Sequence, residues 1–499
     1  MGRSSVSTTW KGIALFVITI SASSTAIAQT APLAPAAAAP SFRFEPRGSV
    51  SFTYTDNVLL TELNRKPDAI VAPTAGFLLI NKTSRTNISA NADISYDLYQ
   101  AATRLNAMRG SAIANGHVDL IDDYVTIDAH AGADSQRASA FAGEPASDRS
   151  FGPNQTQVIS YGATPTFNMR MGNIANVVTS YDIDMLHYIR RSDPTLTLTL
   201  PLNQSIEQKI RTTVSSGSYF DLFTWQIDGS LQRTDRGGPN SASEEREASA
   251  SMYFALYPNF RLSVTGGYDD ERQPTLPKPT SGARLTAGFD WSLSRRTQIT
   301  FDGGMRYRDP YFSGKLRYGL GKNLVLNISY TQTIDTPQSI ASRNLSGVIR
   351  GDNGELLDPI TGLPAGLADD PFGINSQAFV RKALEFGLDG KIGRTSYNLS
   401  GIYERRVGAS TSESLSGNIE LSRPIGPHLT GLIGIDYERV KNQSAALNRI
   451  SETVETNVKV NYDLGKHTAL SLAYYFQRRH AAPTRSRENT GVLTVTRRF

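Results

Sequence analysis

The chain has no cysteine among its 499 residues, only six histidines and three tryptophans. The missing thiols exclude a disulfide framework and a cysteine-anchored lipid, and they suit passage through an oxidising periplasm. The histidines, at 117, 130, 187, 428, 467 and 480, are scattered without metal-ligand spacing. No serine nucleophile elbow or phosphate-cradling loop is present, so neither a metal nor a cofactor is expected. Lysine and arginine (51) nearly balance aspartate and glutamate (46), a net +5 that makes no case for nucleic acid. Beyond the N-terminus no apolar run approaches the roughly 20 residues of a spanning helix, in keeping with a mean hydropathy of −0.30.

What is present begins with an export signal. Arg3 and Lys11 precede the apolar stretch Gly12 to Ile20, and small residues lead to Ala26-Ile27-Ala28. That order reads as a secretory signal peptide over 1–28, cleaved before Gln29. Its removal takes Arg3 and Lys11 away and leaves +3 from +5. Residues 29–47, rich in alanine and proline, read as a periplasmic linker without a core.

From Gly48 to the last residue the pattern has period two. In Leu324 to Thr331 the even positions are large and apolar while Asn327, Ser329 and Thr331 are polar. Tyr397 to Arg405 puts its apolar residues on odd positions, with Ile402 the exception. Leu470, Leu472, Tyr474 and Phe476 alternate with Ala469, Ser471, Ala473, Tyr475 and Gln477. Each segment therefore has an oily face and a wet face.

A soluble half-buried sheet alternates too, so other features must decide. The strands read as about 10–15 residues, against about 5–6 in soluble sheets. Short turns recur at 81–84, 216–218, 257–259, 294–296, 321–323 and 393–394, and long polar loops lie near 136–154, 235–243, 270–280, 335–376 and 441–449. Short turns at one rim and long loops at the other is the outer-membrane arrangement. Tyr330, Tyr403, Tyr437, Tyr474 and Phe476 approach the long-loop rim, and Trp291 and Tyr462 the short-turn rim, where amphipathic rings prefer the headgroup layer. Leu493, Val495 and Phe499 share one face of the final segment, like the terminal aromatic signal read by the barrel-assembly machinery; Arg497 interrupts it.

The expected fold is all-β: one antiparallel transmembrane barrel of about twenty-two strands over 48–499, in the cell outer membrane. An even count suits a single-chain barrel, and closure follows because hydrocarbon offers no partner to the amides of an open edge. The alternation is weakest at 104–120 and 311–319, and the loop at 191–203 interrupts it.

Tyr54-Thr55-Asp56-Asn57-Val58, Gly266-Gly267-Tyr268-Asp269-Asp270, and Arg381-Lys382 leading to Tyr403-Glu404-Arg405-Arg406 resemble the exosortase/PEP-CTERM-system-associated outer-membrane β-barrel family, akin to putative β-barrel porins. The resemblance covers about 45–499. It implies a role in building or exporting surface polysaccharide, with polysaccharide or export-system proteins as partners, and supplies no catalytic residue.

Candidate sites are weighed by parity and by motif. Asp182 and Asp184 face the lumen while His187 has the opposite parity, so this cluster reads as pore wall rather than a hydrolase site. Asp352-Asn353-Gly354-Glu355 lacks the full calcium-loop pattern and reads as an Asn-Gly turn. Gly237-Gly238 and Gly303-Gly304 read as loops or strand bends. The pore lining is expected to include Asp182, Asp184, Asp228, Asp302, Arg306, Glu404, Asp436 and Glu438, a mixture suited to hydrated solutes such as sugars. So wide a barrel invites occlusion, and the long loop 335–376 is the expected plug. The leading reading is a pore or scaffold without covalent chemistry, not an enzyme. A general diffusion porin comes next; an outer-membrane hydrolase and an anchor for surface proteins stand behind it. A TonB-dependent receptor is disfavoured, since no plug domain is legible before residue 48.

Overall fold

The computed structural model describes residues 41–147, 154–189, 204–236, 242–272, 276, 280–321, 323–336, 339–340, 349–350, 356–357, 370–373, 378–408, 410–443, 448–481 and 484–499. The signal-peptide segment, the segment 191–203, Gly237-Gly238 and the Asp352–Glu355 turn lie outside them, as does most of 335–376.

Twenty-two strands form one sheet in which each pairs antiparallel with its neighbours in sequence. They run from 10 residues (Thr297–Arg306) to 17 (Gln155–Met171), lengths that cross a bilayer at a tilt. The ends meet: Ser41–Thr55 pairs with Thr484–Arg498 from Arg47↔Arg498 to Thr55↔Thr490. The Asp56 amide donates to the Asn489 carbonyl at 3.1 Å and the Phe499 amide to that of Pro46 at 2.9 Å. The barrel is closed, so neither edge strand is left open along the shared span.

Alternation decides which way each side chain faces. Val50, Phe52 and Tyr54 stand exposed on the outside, while Ser51, Thr53 and Thr55 are buried inside. Ile433, Ile435 and Tyr437 are likewise outward, flanking Asp436 and Glu438 on the lumen side. The outward faces of Tyr403, Tyr437 and Tyr474 near one rim, and of Trp291 and Tyr462 near the other, are exposed. Among the lumen-side glycines, Gly304 has a specific reason: a Cβ there would lie 2.1 Å from the Leu285 carbonyl oxygen, so the neighbouring backbone excludes any side chain.

Three boundaries differ from the sequence reading. The barrel begins at Ser41, because Ser41–Arg47, expected as linker, pairs with Lys82–Gly76. Proline hid this extension; Pro46 lacks an amide, but it stands where the last strand has ended and no partner needs one. One outer connection is also shorter than expected: Leu429–Gln443 and Asn448–Asp463 absorb both flanks of the loop placed at 441–449. Nor is every connection at that rim long. Tyr307 and Arg308, with φ of 55° and 61°, make a two-residue hairpin turn between Thr297–Arg306 and Asp309–Gly319. The weak segments 104–120 and 311–319 both contribute strands, Ala107–Ile121 and Asp309–Gly319.

Candidate pore constriction

The most structured feature of the lumen grows from the connection after strand Val125–Arg137. Asn154 ties its base: Nδ2 donates to the Ser139 carbonyl at 2.8 Å and the Ala142 carbonyl at 3.2 Å, and Oδ1 accepts the Ser139 amide at 2.9 Å. A buried amide that donates and accepts at once fixes the loop's direction. Residues 138–147 then cross the mouth to strands late in the sequence. Arg479 Nη2 donates to the Ala140 carbonyl at 2.8 Å. The Ala146 amide donates to Glu488 Oε2 at 2.8 Å, and the other carboxylate oxygen accepts from Thr55 and Thr490 at 2.6 and 2.9 Å. Arg137 pairs with Glu438 at 2.5 Å and with Glu144, on the loop itself, at 3.3 Å. Charge-assisted bonds of this kind contribute about 1.5–3 kcal/mol each when shielded.

Two neighbours pack against the crossing loop. Leu60, from the first connection, touches Gly143, where a Cβ would lie 3.1 Å from it. That connection is held by buried Asn57, whose Nδ2 donates to the Thr61 carbonyl at 2.8 Å and the Arg487 carbonyl at 2.9 Å. On another side lies Asp370–Gly373: Gly373, at φ 77°, sits where a Cβ would be 2.8 Å from Ser139 Cα. Arg406 holds this piece, paired with Asp370 at 2.8 Å and stacked 4.2 Å from the rings of both Phe372 and Phe379. Most of the plug expected from 335–376 lies outside the described residues; of it, Asp370–Gly373 packs on the crossing loop, and the described constriction is formed by 138–147.

Beneath the loop lies a recess of about 300 Å³. Its lining includes small wall residues, Ser400 and Ser416, with Asn418 and Thr453. The lining also carries Glu144, Asp436, Glu438 and Glu455 against Arg137 and Arg479. Carboxylates outnumber guanidiniums there, and amides and hydroxyls fill the gaps.

The eight expected lining residues all lie on the face opposite the exposed apolar one. Asp182 accepts from Thr164 at 2.8 Å, Asp228 from Thr213 at 2.7 Å, and Asp436 from Asn418 at 2.5 Å. Asp302 stands opposite Gly288, where a Cβ would strike its carboxylate. Arg306 pairs with Asp269 at 3.0 Å and Glu247 at 3.4 Å. Glu404 takes Arg381 at 2.8 Å and also Arg406. His187 points outward and is exposed; the imidazole beside Asp184 is that of His130, with Nε2 2.8 Å from Oδ1 and off the line of a hydrogen bond. Leu493, Val495 and Phe499 are exposed on the outer face, and Arg497 lies over the Phe499 ring at 5.6 Å.

Sequence reading missed His130, Arg137, Arg479 and Glu488. His130 and Glu488 share lumen parity with recognised neighbours and were open to discovery by pairing strands. Arg137 has outward parity and turns inward only because its strand ends there.

These features define a class of fold: a closed antiparallel β-barrel of twenty-two strands, oily outside and polar inside, crossed by an inward loop. No family model matches the chain, and no curated protein matches it. Among solved structures it is similar to the siderophore receptor PirA from Acinetobacter baumannii (TM-score 0.46, 8% identity, covering 92% of this chain and 81% of that one). It is also similar to the outer membrane transporter YddB from Escherichia coli (0.44, 10%, 91% and 81%) and to Acinetobacter baumannii OccAB4 (0.34, 10%, 92% and 98%). The likeness is one of fold and does not bear on cargo.

Proposed function

We propose that this chain is a passive outer-membrane pore for hydrated, polyhydroxylated solutes, exported by its cleaved leader and serving a surface-polysaccharide system. One observation supports the solute class above others: the wall facing the recess interleaves carboxylates, guanidiniums, amides and hydroxyls. A sugar hydroxyl both donates and accepts, so such a wall can replace its water shell one bond at a time. The link to polymer rests on the resemblance of Tyr54–Val58, Gly266–Asp270 and the Arg381 to Arg406 region to barrels of exopolysaccharide systems.

The crossing loop favours a second reading, a general diffusion porin, because a strapped mouth suits small solutes better than a threading polymer. Gene deletion separates the two. Loss of surface polysaccharide with unchanged uptake of small saccharides is the expected result; intact polymer with slowed saccharide entry would move the assignment to the porin, and neither change would refute both.

A further inference from the structure

The outer face of the last seven strands carries charge where a barrel in lipid should carry little. Lys382, Arg405, Arg439, Lys441, Arg478 and Arg487 all have outward parity, alternating with lumen residues such as Arg381, Glu404, Glu438 and Gln477. Each lies about ten to twelve residues along its strand from the short-turn rim. At roughly 3.3 Å per residue and a tilt near 40°, that is a height of about 25–30 Å, the top of the apolar band. Leu384, Tyr403, Tyr437 and Phe476 sit two residues below Lys382, Arg405, Arg439 and Arg478, marking the boundary these cations stand above.

The pairing is what distinguishes this belt from an ordinary solvated rim. Arg405 has Glu413 at 3.7 Å and Arg439 has Glu452 at 3.3 Å. Yet Arg478 stands directly opposite Arg487 in the ladder, and Lys382 directly opposite Arg405. Like charges facing each other across a ladder repel, and the repulsion grows at the edge of hydrocarbon, where screening by water weakens. An anion shared between them reverses the sign. At the same height on Phe223–Asp235, Ser243–Tyr257 and Phe260–Arg272 the outward charges balance, Arg233, Arg246 and Arg272 against Asp235, Glu244 and Asp270, with Arg246 and Arg272 paired to Glu244 and Asp270 at 2.6 and 3.6 Å. Among the described residues of these three strands there is no such excess of cations.

We infer that this belt is a docking surface for phosphorylated lipid headgroups of the outer leaflet, with a phosphate bridging Arg478 and Arg487. Guanidiniums match phosphate oxygens in pairs, acyl chains descend over the aromatic row, and the rest of the belt gathers neighbouring headgroups. The lipid fixes this flank, leaving the balanced flank free.

The test is native mass spectrometry of the detergent-purified protein with diphosphoryl lipid A, its dephosphorylated form, and inorganic phosphate as competitor. At about fivefold per cation near a lipid surface, the variant Arg405→Gln/Arg478→Gln/Arg487→Gln is expected to bind diphosphoryl lipid about 100-fold more weakly. Arg233→Gln/Arg246→Gln/Arg272→Gln should bind like the wild type. Wild-type protein should discriminate against dephosphorylated lipid and keep its lipid in millimolar inorganic phosphate. Undiminished binding by the first variant overturns the assignment. So does equal affinity for dephosphorylated lipid, or displacement by inorganic phosphate; these two arms use only wild-type protein and decide the matter even if the variant fails to fold.

Discussion

Excising residues 139–153, with two glycines joining Ala138 to Asn154, is expected to raise single-channel conductance in planar bilayers by roughly two- to fivefold, because a barrel this wide is limited by what crosses it and not by its wall. The crossing segment is tied at Ala140, Glu144 and Ala146 to Arg479, Arg137 and Glu488, so its position is set by bonds and not by crowding. A milder change makes the same point. Arg479→Ala removes the guanidinium that reaches both the Ala140 carbonyl and, at 3.2 Å, the Ser451 hydroxyl. It should leave the mean conductance near its starting value while adding rapid fluctuation, since two of the three ties remain. Unaltered conductance in the excised protein would mean that the mouth is set elsewhere.

The second large effect concerns the membrane itself. Val458 points outward from the short-turn half of Asn448–Asp463, with Ile433 and Tyr474 beside it; Asn457, one residue earlier, faces the lumen opposite Gly434 and Tyr475. Val458→Lys places an ammonium near the bilayer midplane and should cost about 2–4 kcal/mol of folding free energy. Asn457→Lys sends the same charge into water and should cost less than about 1 kcal/mol. Urea titrations of folding into lipid vesicles compare them directly. Equal costs would dissolve the distinction between the two faces.

The wall of this barrel was legible because its information is local. Alternation between Ile433, Ile435, Tyr437 and Gly434, Asp436, Glu438 needs no knowledge of partners, and the even strand number follows from turns and loops counted in order. Where local signal conflicted, the reading slipped: Pro46 masked the extension of the first strand to Ser41, although Phe42 and Phe44 already alternate with Arg43 and Glu45. The constriction was harder for another reason. Its ties join Ala140 to Arg479 and Ala146 to Glu488, more than three hundred residues apart in sequence, and no period in the chain encodes which loop folds inward. The segment Ser139 to Ser147 offered mostly small residues, which an outward loop would share. His130 meets Asp184 only through the intervening strand, where Gly162 leaves room for both; a Cβ there would fall 2.1 Å from the Asp184 carboxylate.

Because the chain has no native cysteine, single cysteines can report facing without background. Placed in turn at Ile433, Ile435, Asp436, Tyr437, Glu438 and Thr453 of the folded protein in vesicles, they should split into two sets. Asp436, Glu438 and Thr453 should react with a charged, water-soluble thiol reagent, while Ile433, Ile435 and Tyr437 resist it and have an attached fluorophore quenched by lipid-borne spin labels. Strict alternation is what a wet interior wrapped in an oily exterior requires; uniform reactivity along these positions would contradict a membrane-spanning barrel outright.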